Sequence, residues 1–549
     1  MARVKRPPVA AALFALILAA LFVAAGCGLP GPAASPGMGE SPGPSDLTSA
    51  PIESVPAVAP SEPAPTASPV PTATPVALAD VAIVPVTHFR TQFSSSTVAE
   101  VRSVLAGTNK RYNAIEVVAA DADAILAALG VARPTVASRL VLAPDAAKLA
   151  KDLSTNRQRL GFLRADQVGP SVRALSWGRD ALFGVGRLAT LAAWPLIARV
   201  PAESAPAVPA YDPGAAWTLF AGGDIMLDRG VAKTVKVDGK GVNFPFNGGT
   251  ADITGHTCCS QFGWKQPVVR RTGNAGAVRA LVEGADLAIA NFENPAPNRF
   301  RWHTSGTIFS ADPKLIDGLT NAGIDYVSLG NNHIRDVGAN GIIQTIANLE
   351  KRGIAWSGAG KDLAQARRPA MLDARGTKVA ILGYDTIAKY YAASATRAGS
   401  AQMTGAVVKA DVAAARKAGA DLVIVFPHWG TEYDATPFAG QQRLARAAID
   451  AGADIVIGNH AHWAAAMEVY KGKPIWYALG NFVFDQTWSE PTMEGITLEL
   501  TFVGKDLRQI RMRPHIILDR AQPNFLEPTG DGKIVMGQVF AASKGLLPW

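Results

Sequence analysis

The stretch that decides the fold is Ile455-Val456-Ile457-Gly458-Asn459-His460-Ala461-His462. Three consecutive β-branched residues predict a short buried strand. The glycine, the amide and the two imidazoles that follow place polar side chains at the point where this strand ends. The same pattern recurs where other apolar runs end, at Asp224, at Asn291 and Glu293, at Asn332 and His333, and at His428.

The region from about 214 to 525 alternates such apolar runs with helix-like segments. This alternation predicts a layered α/β fold in which helices cover a buried sheet. Segments 497–502 and 510–518 predict an antiparallel pair of strands that closes the fold. In open α/β sheets, ligands bind outside the carboxyl ends of the strands. We therefore expect the polar side chains of five strand ends to meet at one edge.

The residue types at these strand ends point to a metal site. Four of the eight histidines take part, namely His333, His428, His460 and His462. Each alone has an ordinary explanation, such as a helix cap or a hydrogen bond at a strand end. Together with the carboxylates and amides, and without any cysteine, they favour a divalent Mn, Fe or Zn ion. Six such groups exceed the needs of one tetrahedral ion, so we expect one or two ions and metal-assisted hydrolysis.

Six motifs in order carry a family resemblance over roughly 300 residues, which are 223–227, 290–293, 329–333, 428–433, 458–462 and 477–482. They read GDIML, ANFE, LGNNH, HWGTEY, GNHAH and YALGNF. This set closely resembles the CapA-type poly-γ-glutamate capsule biosynthesis proteins, which have the metallo-dependent, calcineurin-like phosphatase fold. The resemblance implies a four-layer α/β/β/α sandwich.

The resemblance also implies roles for the motif residues. Asp224 and His462 would hold one metal ion, and Asn332, His428 and His460 would hold a second. Glu293 would be the carboxylate that bridges the two ions. His333 would be the catalytic histidine, acting as a general acid. The chain departs from ordinary phosphatases of this fold at Asp224-Ile225-Met226 and Asn291-Phe292-Glu293. Those phosphatases have a histidine two residues after the aspartate of the first motif, where this chain has Met226. The loss of this histidine leaves occupancy by a single ion open. Both departures argue against simple phosphomonoesterase activity.

The substrate-binding candidates are Arg229, Asn291, Trp429, Glu432 and Asn481. Arg229 would contact an anionic substrate or pair with Asp228. Trp429 and Glu432 would form a pocket wall, although Trp429 has packing as its alternative, and Asn481 would orient a ligand or cap a turn.

A Gly/Asn-rich insertion at 236–275 contains Cys258 and Cys259 and is predicted to overhang the site as a lid. These vicinal cysteines either form a disulfide or remain free.

The N-terminus has the pattern of an export signal. Arg3, Lys5 and Arg6 precede the apolar run Val9–Ala25, and small residues lead to Cys27. This ending resembles the lipobox of bacterial lipoproteins, in which the cysteine is lipidated, although the usual leucine three residues earlier is Ala24 here. The alternative is an uncleaved anchor. Either one predicts an extracytoplasmic protein attached to the cell membrane.

The remaining chain divides into four predicted parts. Residues 28–80 are rich in Pro, Ala and Ser and predict a linker. Residues 81–200 predict a small α/β domain, faintly similar to one lobe of a solute-binding protein. The metallophosphatase-like domain spans 214–525, and 526–549 would be a peripheral tail. The chain has 53 basic and 45 acidic side chains, and this thinly spread excess gives little reason to expect nucleic acid.

Three functions remain open at this point. The resemblance implies a metal-dependent hydrolase or transferase in the biosynthesis of poly-γ-glutamate or a related anionic polymer, with other capsule synthesis components as further partners. The fold alone suggests a metallophosphoesterase. The third possibility is a noncatalytic component for polymer binding or export.

Overall fold

The computed structural model describes residues 77–204 and 211–547. The signal-like segment with Cys27 and nearly all of the predicted linker lie outside the described residues, so the signal, the lipidation and the linker stay predictions. Among the residues that are described, no helix has the length and apolar character needed to cross a lipid bilayer.

The larger part of the molecule is built on two sheets. The first sheet has ten strands. Its core is parallel, because Ala216–Ile225, Leu287–Phe292, Tyr326–Ser328 and Ala355–Ser357 run in the same direction. Its other strands, in spatial order away from this core, are Glu494–Val503, Asp506–Leu518, Gln522–Leu526, Thr250–Thr257 and Gln266–Gly273, with Asn481–Val483 beside the end of Ala216–Ile225.

The second sheet has six strands. In spatial order these are Ala370–Ala374, Thr377–Asp385, Leu422–His428, Ile455–Ile457, Lys473–Trp476 and Met467–Tyr470. The middle four are parallel to one another. Residues alternate in direction along a strand, so Ile424 and Phe426 pack between the two sheets whereas Val423 and Val425 pack against helices.

Helices cover the outer face of each sheet. Those on the first sheet are Ala277–Glu283, Asp317–Asn321 and Gly338–Glu350, and those on the second are Gly405–Lys417 and Ala439–Asp450. Shorter α-helices are Arg229–Ala232, Leu363–Ala366 and Glu490–Met493. The predicted four-layer α/β/β/α arrangement is confirmed, as is the antiparallel closing pair, in which Thr497 lies opposite Arg513.

A separate six-stranded sheet precedes these layers. Its strands are Leu140–Ala143, Ala114–Val118, Arg159–Arg164, Leu78–His88, Val172–Ala174 and Ile197–Pro201. Helices Val98–Ala106, Ala122–Leu129 and Ala146–Thr155 pack on this N-terminal sheet and share a core with it. The region is α/β in content, and its exact domain boundaries and its likeness to a solute-binding lobe stay predictions.

The C-terminal segment differs from the sequence-based expectation. We expected residues from 526 onward to be peripheral, but Gly532–Ala542 forms a helix. Val535, Met536 and Val539 on this helix are buried in the core between the sheets. The helix packs into the core because these three apolar residues are spaced so that they lie on one helical face.

Glu494 is a buried carboxyl group at the start of its strand. Burial, followed by the charge of Glu490, raises its pKa from 4.5 to about 8. Its Oε1 atom has no hydrogen-bond partner in the described part of the chain. Because the unfolded chain loses this proton near pH 4.5 and the folded chain only near pH 8, the folded state loses stability as pH rises between these values.

We expect Glu494→Gln to raise the free energy of unfolding by about 2 to 4 kcal/mol at pH 8. At pH 4 the change is expected to be small, because the carboxyl group is then protonated in the folded and largely in the unfolded state. Denaturant titration at both pH values measures the effect, and exposed Glu283→Gln serves as the matched control. An equal effect of Glu494→Gln at both pH values would contradict the account.

Candidate metal centre

The carboxyl ends of the parallel strands of both sheets converge at one edge. Asp224 lies near the end of its strand in the first sheet, and Glu293 directly follows the neighbouring strand. His428 ends a strand of the second sheet, and His460 and His462 follow the next strand. The strand ends that the sequence predicted to meet therefore do meet.

The ligand-type atoms form two groups that share Glu293. One group contains Glu293, His428 and His460, the other contains Asp224, Glu293 and His462, and within each group the atoms lie within 4.8 Å of one another. Glu293 Oε1 lies 3.7 Å from His428 Nε2 and 3.8 Å from His462 Nε2. Such an arrangement suits a carboxylate that bridges two cations.

The hydrogen bonding of these residues fits bound cations. Both carboxylate oxygens of Glu293 are buried without a hydrogen-bond partner among the residues that the structure describes, and so is Oδ1 of Asn332. A buried polar atom without a partner is costly, and a divalent ion is a partner that carboxylate and amide oxygens can share. The buried oxygens of Glu293 and Asn332 therefore fit a bound divalent metal ion.

The electrostatics of the site point the same way. Burial raises the pKa of Asp224, and burial together with the charge of Asp224 raises the pKa of Glu293. Burial lowers the pKa of His460 to about 3 and lowers those of His428 and His462 well below the ordinary value. The imidazoles are therefore neutral, as ligation requires, and a cation favours the ionised carboxylates.

Two ligand residues adopt a left-handed backbone conformation. The φ angles of His460 and His462 are 92° and 56°. This region is unfavourable for residues with a side chain and is concentrated at functional sites. The conformation turns both imidazoles of the Gly458–His462 loop toward the same edge.

Two amide side chains that were predicted to bind substrate instead position the side chains that would bind metal. Asn291 is buried, and its Nδ2 lies 2.7 Å from Asp224 Oδ1 and 3.2 Å from His428 Nδ1. Asn481 is also buried and lies 2.9 Å from His462 Nδ1 through its Oδ1. These contacts correct the substrate-binding prediction for both residues, because their polar atoms are used within the protein.

Asn481 also fixes the tautomer of His462. The Nδ2 atom of Asn481 donates hydrogen bonds to Gln486 Oε1 and to the carbonyl oxygen of Thr492. Its Oδ1 is consequently an acceptor, so Nδ1 of His462 carries the proton. The lone pair on Nε2 of His462 then points toward Glu293, as metal ligation requires.

We expect Asn481→Ala to weaken metal binding by about 10- to 100-fold, the usual effect of removing a residue that orients a ligand. Competition with a chromophoric chelator measures the affinity, and circular dichroism checks that the variant is folded. Asn298→Ala, at an exposed position, is the matched control. Unchanged affinity in folded Asn481→Ala would remove this role.

The predicted catalytic histidine lies at the rim of the cluster. His333 Nδ1 is 2.9 Å from Asp336 Oδ2, and its Nε2 is 3.9 Å from Glu293 Oε1. Its ring packs against Phe309 with 4.2 Å between ring centroids. Asp336 thus orients the imidazole so that Nε2 faces the cluster. Asp336 was not among the predicted site residues, although its position three residues after His333 is a usable signal in the sequence.

Arg229 has a different partner from the one considered. Its guanidinium pairs with Asp485 at 2.5 Å and donates to the carbonyl oxygen of Gly306 at 2.7 Å. It lies over the Phe309 ring at 4.9 Å. Asp228 accepts instead from His303 Nδ1 at 2.6 Å. The predicted alternative of an Arg229–Asp228 pair is therefore wrong.

The predicted pocket wall is only partly formed. Trp429 is buried, and its indole N–H donates to the carbonyl oxygen of Tyr477. The packing alternative is thus correct for Trp429, and its role as a wall is wrong because the ring faces the core. Glu432 is exposed, yet its charge contributes to the raised pKa of Glu293. Tyr433 lies 6.0 Å from the His462 ring.

The 236–275 insertion forms a hairpin beside the cluster. Its turn contains Cys258 and Cys259, which are joined by a disulfide. Phe262 packs on Trp488 with 5.5 Å between ring centroids, and Trp264 lies 6.4 Å from Tyr433. The predicted proximity to the site is therefore present, and any movement as a lid stays a prediction.

A cleft of about 830 Å³ lies under this hairpin. It is lined by residues of the turn, by the 302–307 loop and by residues 485–488. Three basic residues contribute to its walls, Arg229, Lys233 and Arg520, together with the aromatic rings of Phe262, Trp302 and Trp488. Arg229 connects the cleft to the metal cluster through Phe309.

Comparisons with known proteins agree with these observations. The model of a family described as "Bacterial capsule synthesis protein PGA_cap" matches residues 218–486. A "Capsule biosynthesis protein CapA" from Bacillus anthracis is 34% identical over 220 residues, covering 39% of this chain and 54% of that protein. This chain thus spans little more than half the length of that relative.

Two further similarities were found. A "Probable polyglutamine synthesis accessory protein" from Mycobacterium tuberculosis is 30% identical over 292 residues, covering 49% of this chain and 74% of that protein. Among solved structures, the calcineurin-like phosphoesterase YfkN from Bacillus subtilis aligns with a TM-score of 0.32 and 13% identity, covering 60% of this chain and 97% of that chain.

Proposed function

Because this chain belongs to the family of bacterial capsule synthesis proteins, we propose that it acts in the biosynthesis of poly-γ-glutamate or a related anionic surface polymer. We propose that it does so as a metal-dependent hydrolase or transferase. The names of its relatives, a capsule biosynthesis protein and a polyglutamine synthesis accessory protein, support the process. The cluster around Glu293 supports the chemistry, and this cluster is the observation that carries the proposal.

The proposed ligand sets follow from the two groups. Asp224, Glu293 and His462 would hold one divalent ion, and Glu293, His428 and His460 with Asn332 would hold the other. Oxygen and imidazole ligands without thiolates suit Mn, Fe or Zn. Such ions supply Lewis acidity that polarises a substrate oxygen and activates water at neutral pH.

The chain's own side chains supply the remaining steps. His333 presents Nε2 toward the cluster while Asp336 accepts a hydrogen bond from Nδ1, so His333 in its doubly protonated, imidazolium form would donate the Nε2 proton to the leaving group of the bond being broken. Lys233 and Arg520 line the adjacent cleft. Because Arg229 is paired with Asp485 and Lys233 with Asp238, Arg520 would be the main contact for a carboxylate of an extended anionic chain that lies across the cluster.

The proposed location is the outside of the cell membrane. The basic, apolar and small-residue pattern that ends at Cys27 supports a lipoprotein signal. Detergent phase partitioning of the wild type and Cys27→Ser tests the anchor. Transfer of Cys27→Ser to the aqueous phase is expected, and retention of both proteins in the detergent phase would overturn lipidation at this residue.

The catalytic proposal is tested on two substrates. Full-length protein loaded with Mn, Fe or Zn is incubated with poly-γ-glutamate and, separately, with an arylphosphate, and chelator-treated protein is the control. We expect metal-dependent change in the polymer's length or end groups. Rapid release of phosphate without any change in the polymer would favour a phosphoesterase. Inactivity on both substrates would favour a noncatalytic role in polymer binding or export.

A further inference from the structure

Three arginines line one cavity whose lining contains none of the residues of the two ligand groups. The cavity measures about 170 Å³ and lies between the N-terminal sheet and the first sheet. Arg173 comes from strand Val172–Ala174 of the N-terminal sheet, and Arg511 and Arg513 come from strand Asp506–Leu518. All three line this one cavity.

The acidic groups nearby do not balance these charges. Arg513 donates to Glu499 Oε2 at 2.7 Å, and Arg511 Nη1 lies 3.6 Å from the same oxygen. The other oxygen of Glu499 accepts from the backbone N–H of Val185 at 2.7 Å. Burial raises the pKa of Glu499, but Arg513 and Arg511 outweigh this effect and hold it at about 2. One ionised carboxylate thus serves two guanidinium groups and leaves none for the third.

The remaining acid at the cavity is Glu527. Glu527 is exposed to solvent, and its Oε1 accepts a hydrogen bond from the hydroxyl of Thr529 at 3.0 Å. Within residues 77–204 and 211–547, Glu499 is the only carboxylate within ion-pair distance of Arg511 and Arg513, and none lies within that distance of Arg173. The cavity therefore carries an excess of positive charge.

Arg173 is the arginine of the three that lacks a counter-ion in the described part of the chain. It is 9% exposed, and its Nη1 donates to the carbonyl oxygen of Ile510 at 3.1 Å. Its Nε is buried and has no hydrogen-bond partner within residues 77–204 and 211–547. Among the described residues, no carboxylate forms an ion pair with it. A guanidinium does not lose its proton in proteins, so Arg173 is a buried cation that requires an anion.

We propose that this cavity binds a small oxyanion, either phosphate or a carboxylate. Planar guanidinium groups present paired N–H donors that match the oxygens of both ions. Thr91 and Ser94 also line the cavity, and their hydroxyl groups would add donors. The cavity volume of about 170 Å³ exceeds the roughly 10 to 15 Å³ needed to hold one water molecule, so it leaves room for a small ion.

Calorimetric titration of full-length protein tests the proposal with two probes, potassium phosphate and sodium glutamate, each against chloride of equal ionic strength. We expect at least one probe to bind, and Arg173→Met to weaken that binding by at least about tenfold. Arg511→Met provides a second variant if Arg173→Met does not fold. Arg133→Met, at an exposed arginine paired with Asp123, is the matched control and is expected to bind normally.

Each outcome decides the proposal. Binding of phosphate that is lost in the cavity variants identifies a phosphate site, and the same result with glutamate identifies a carboxylate site. Because the comparison is with Arg173→Met, binding of either anion at the metal cluster does not imitate the result. Failure of both probes to bind the wild type, or equal binding by wild type, Arg173→Met and Arg511→Met, would overturn the proposal.

Discussion

Replacing His333 with Gln is expected to lower turnover by about 10²- to 10⁴-fold, the usual contribution of a general acid. The metal content is expected to stay unchanged, because His333 belongs to neither ligand group. The assay is turnover of whichever substrate, poly-γ-glutamate or arylphosphate, the wild-type protein converts, with metal content measured on the same sample.

Two further variants sharpen this prediction. His88→Gln, in the N-terminal sheet, is the matched control and is expected to keep wild-type turnover. Asp336→Asn is expected to reduce turnover less than His333→Gln, because Asp336 orients the imidazole without contacting substrate. Wild-type turnover by His333→Gln would remove His333 from catalysis and leave only the metal ions and basic residues to account for activity.

Replacing Glu293 with Gln is expected to weaken metal binding at both positions, because Glu293 is the one carboxylate shared by the two groups. The affinity is expected to fall by more than about 100-fold, which exceeds the effect of removing a residue that only orients a ligand. Turnover is expected to fall to the level of the chelated wild type. Metal analysis after gel filtration measures the loss.

Glu432→Gln is the matched control for this change. Glu432 lies close enough to contribute to the raised pKa of Glu293, but it belongs to neither ligand group. It is expected to retain its metal. Equal metal loss in both variants would show that the cluster responds to the net charge of the region, and a full metal content in Glu293→Gln would contradict the bridging role.

The layered fold was predictable because its strands are short apolar runs with distinct ends. Ile455–Ile457 and Leu422–His428 are buried on both faces, so they appear in the sequence as continuous apolar segments. Parallel strands carry their carboxyl ends to the same edge. The convergence of His428, His460 and His462 could therefore be predicted without coordinates.

Helix boundaries were less predictable, and one case shows why. The apolar residues of segment 412–418 indicate a helix that begins at about residue 412, whereas the helix in the structure begins at Gly405. The hydroxyl of Thr404 accepts from the backbone N–H of Val407 and so caps the helix. The added first turns are mostly exposed, so they contribute little to the apolar pattern.

The roles of individual polar residues were the least predictable feature. Arg229 pairs with Asp485, 256 residues further along the chain, and no local pattern indicates such a contact. Asn481 was a candidate for substrate binding, but its side chain is buried against His462. No pattern in the sequence marked Arg173 as a binding residue. Its lack of a carboxylate partner depends on how two separate sheets pack against each other.

The central claim is that side chains from both sheets hold divalent cations around Glu293. Anomalous diffraction from crystals of the metal-loaded protein tests it most directly. We predict an anomalous peak within about 2.0 to 2.2 Å of ligand atoms from Glu293, His428 and His460, with a second ion placed among Asp224, Glu293 and His462. Anomalous peaks only at other places in the molecule, or none at this edge, would contradict the account.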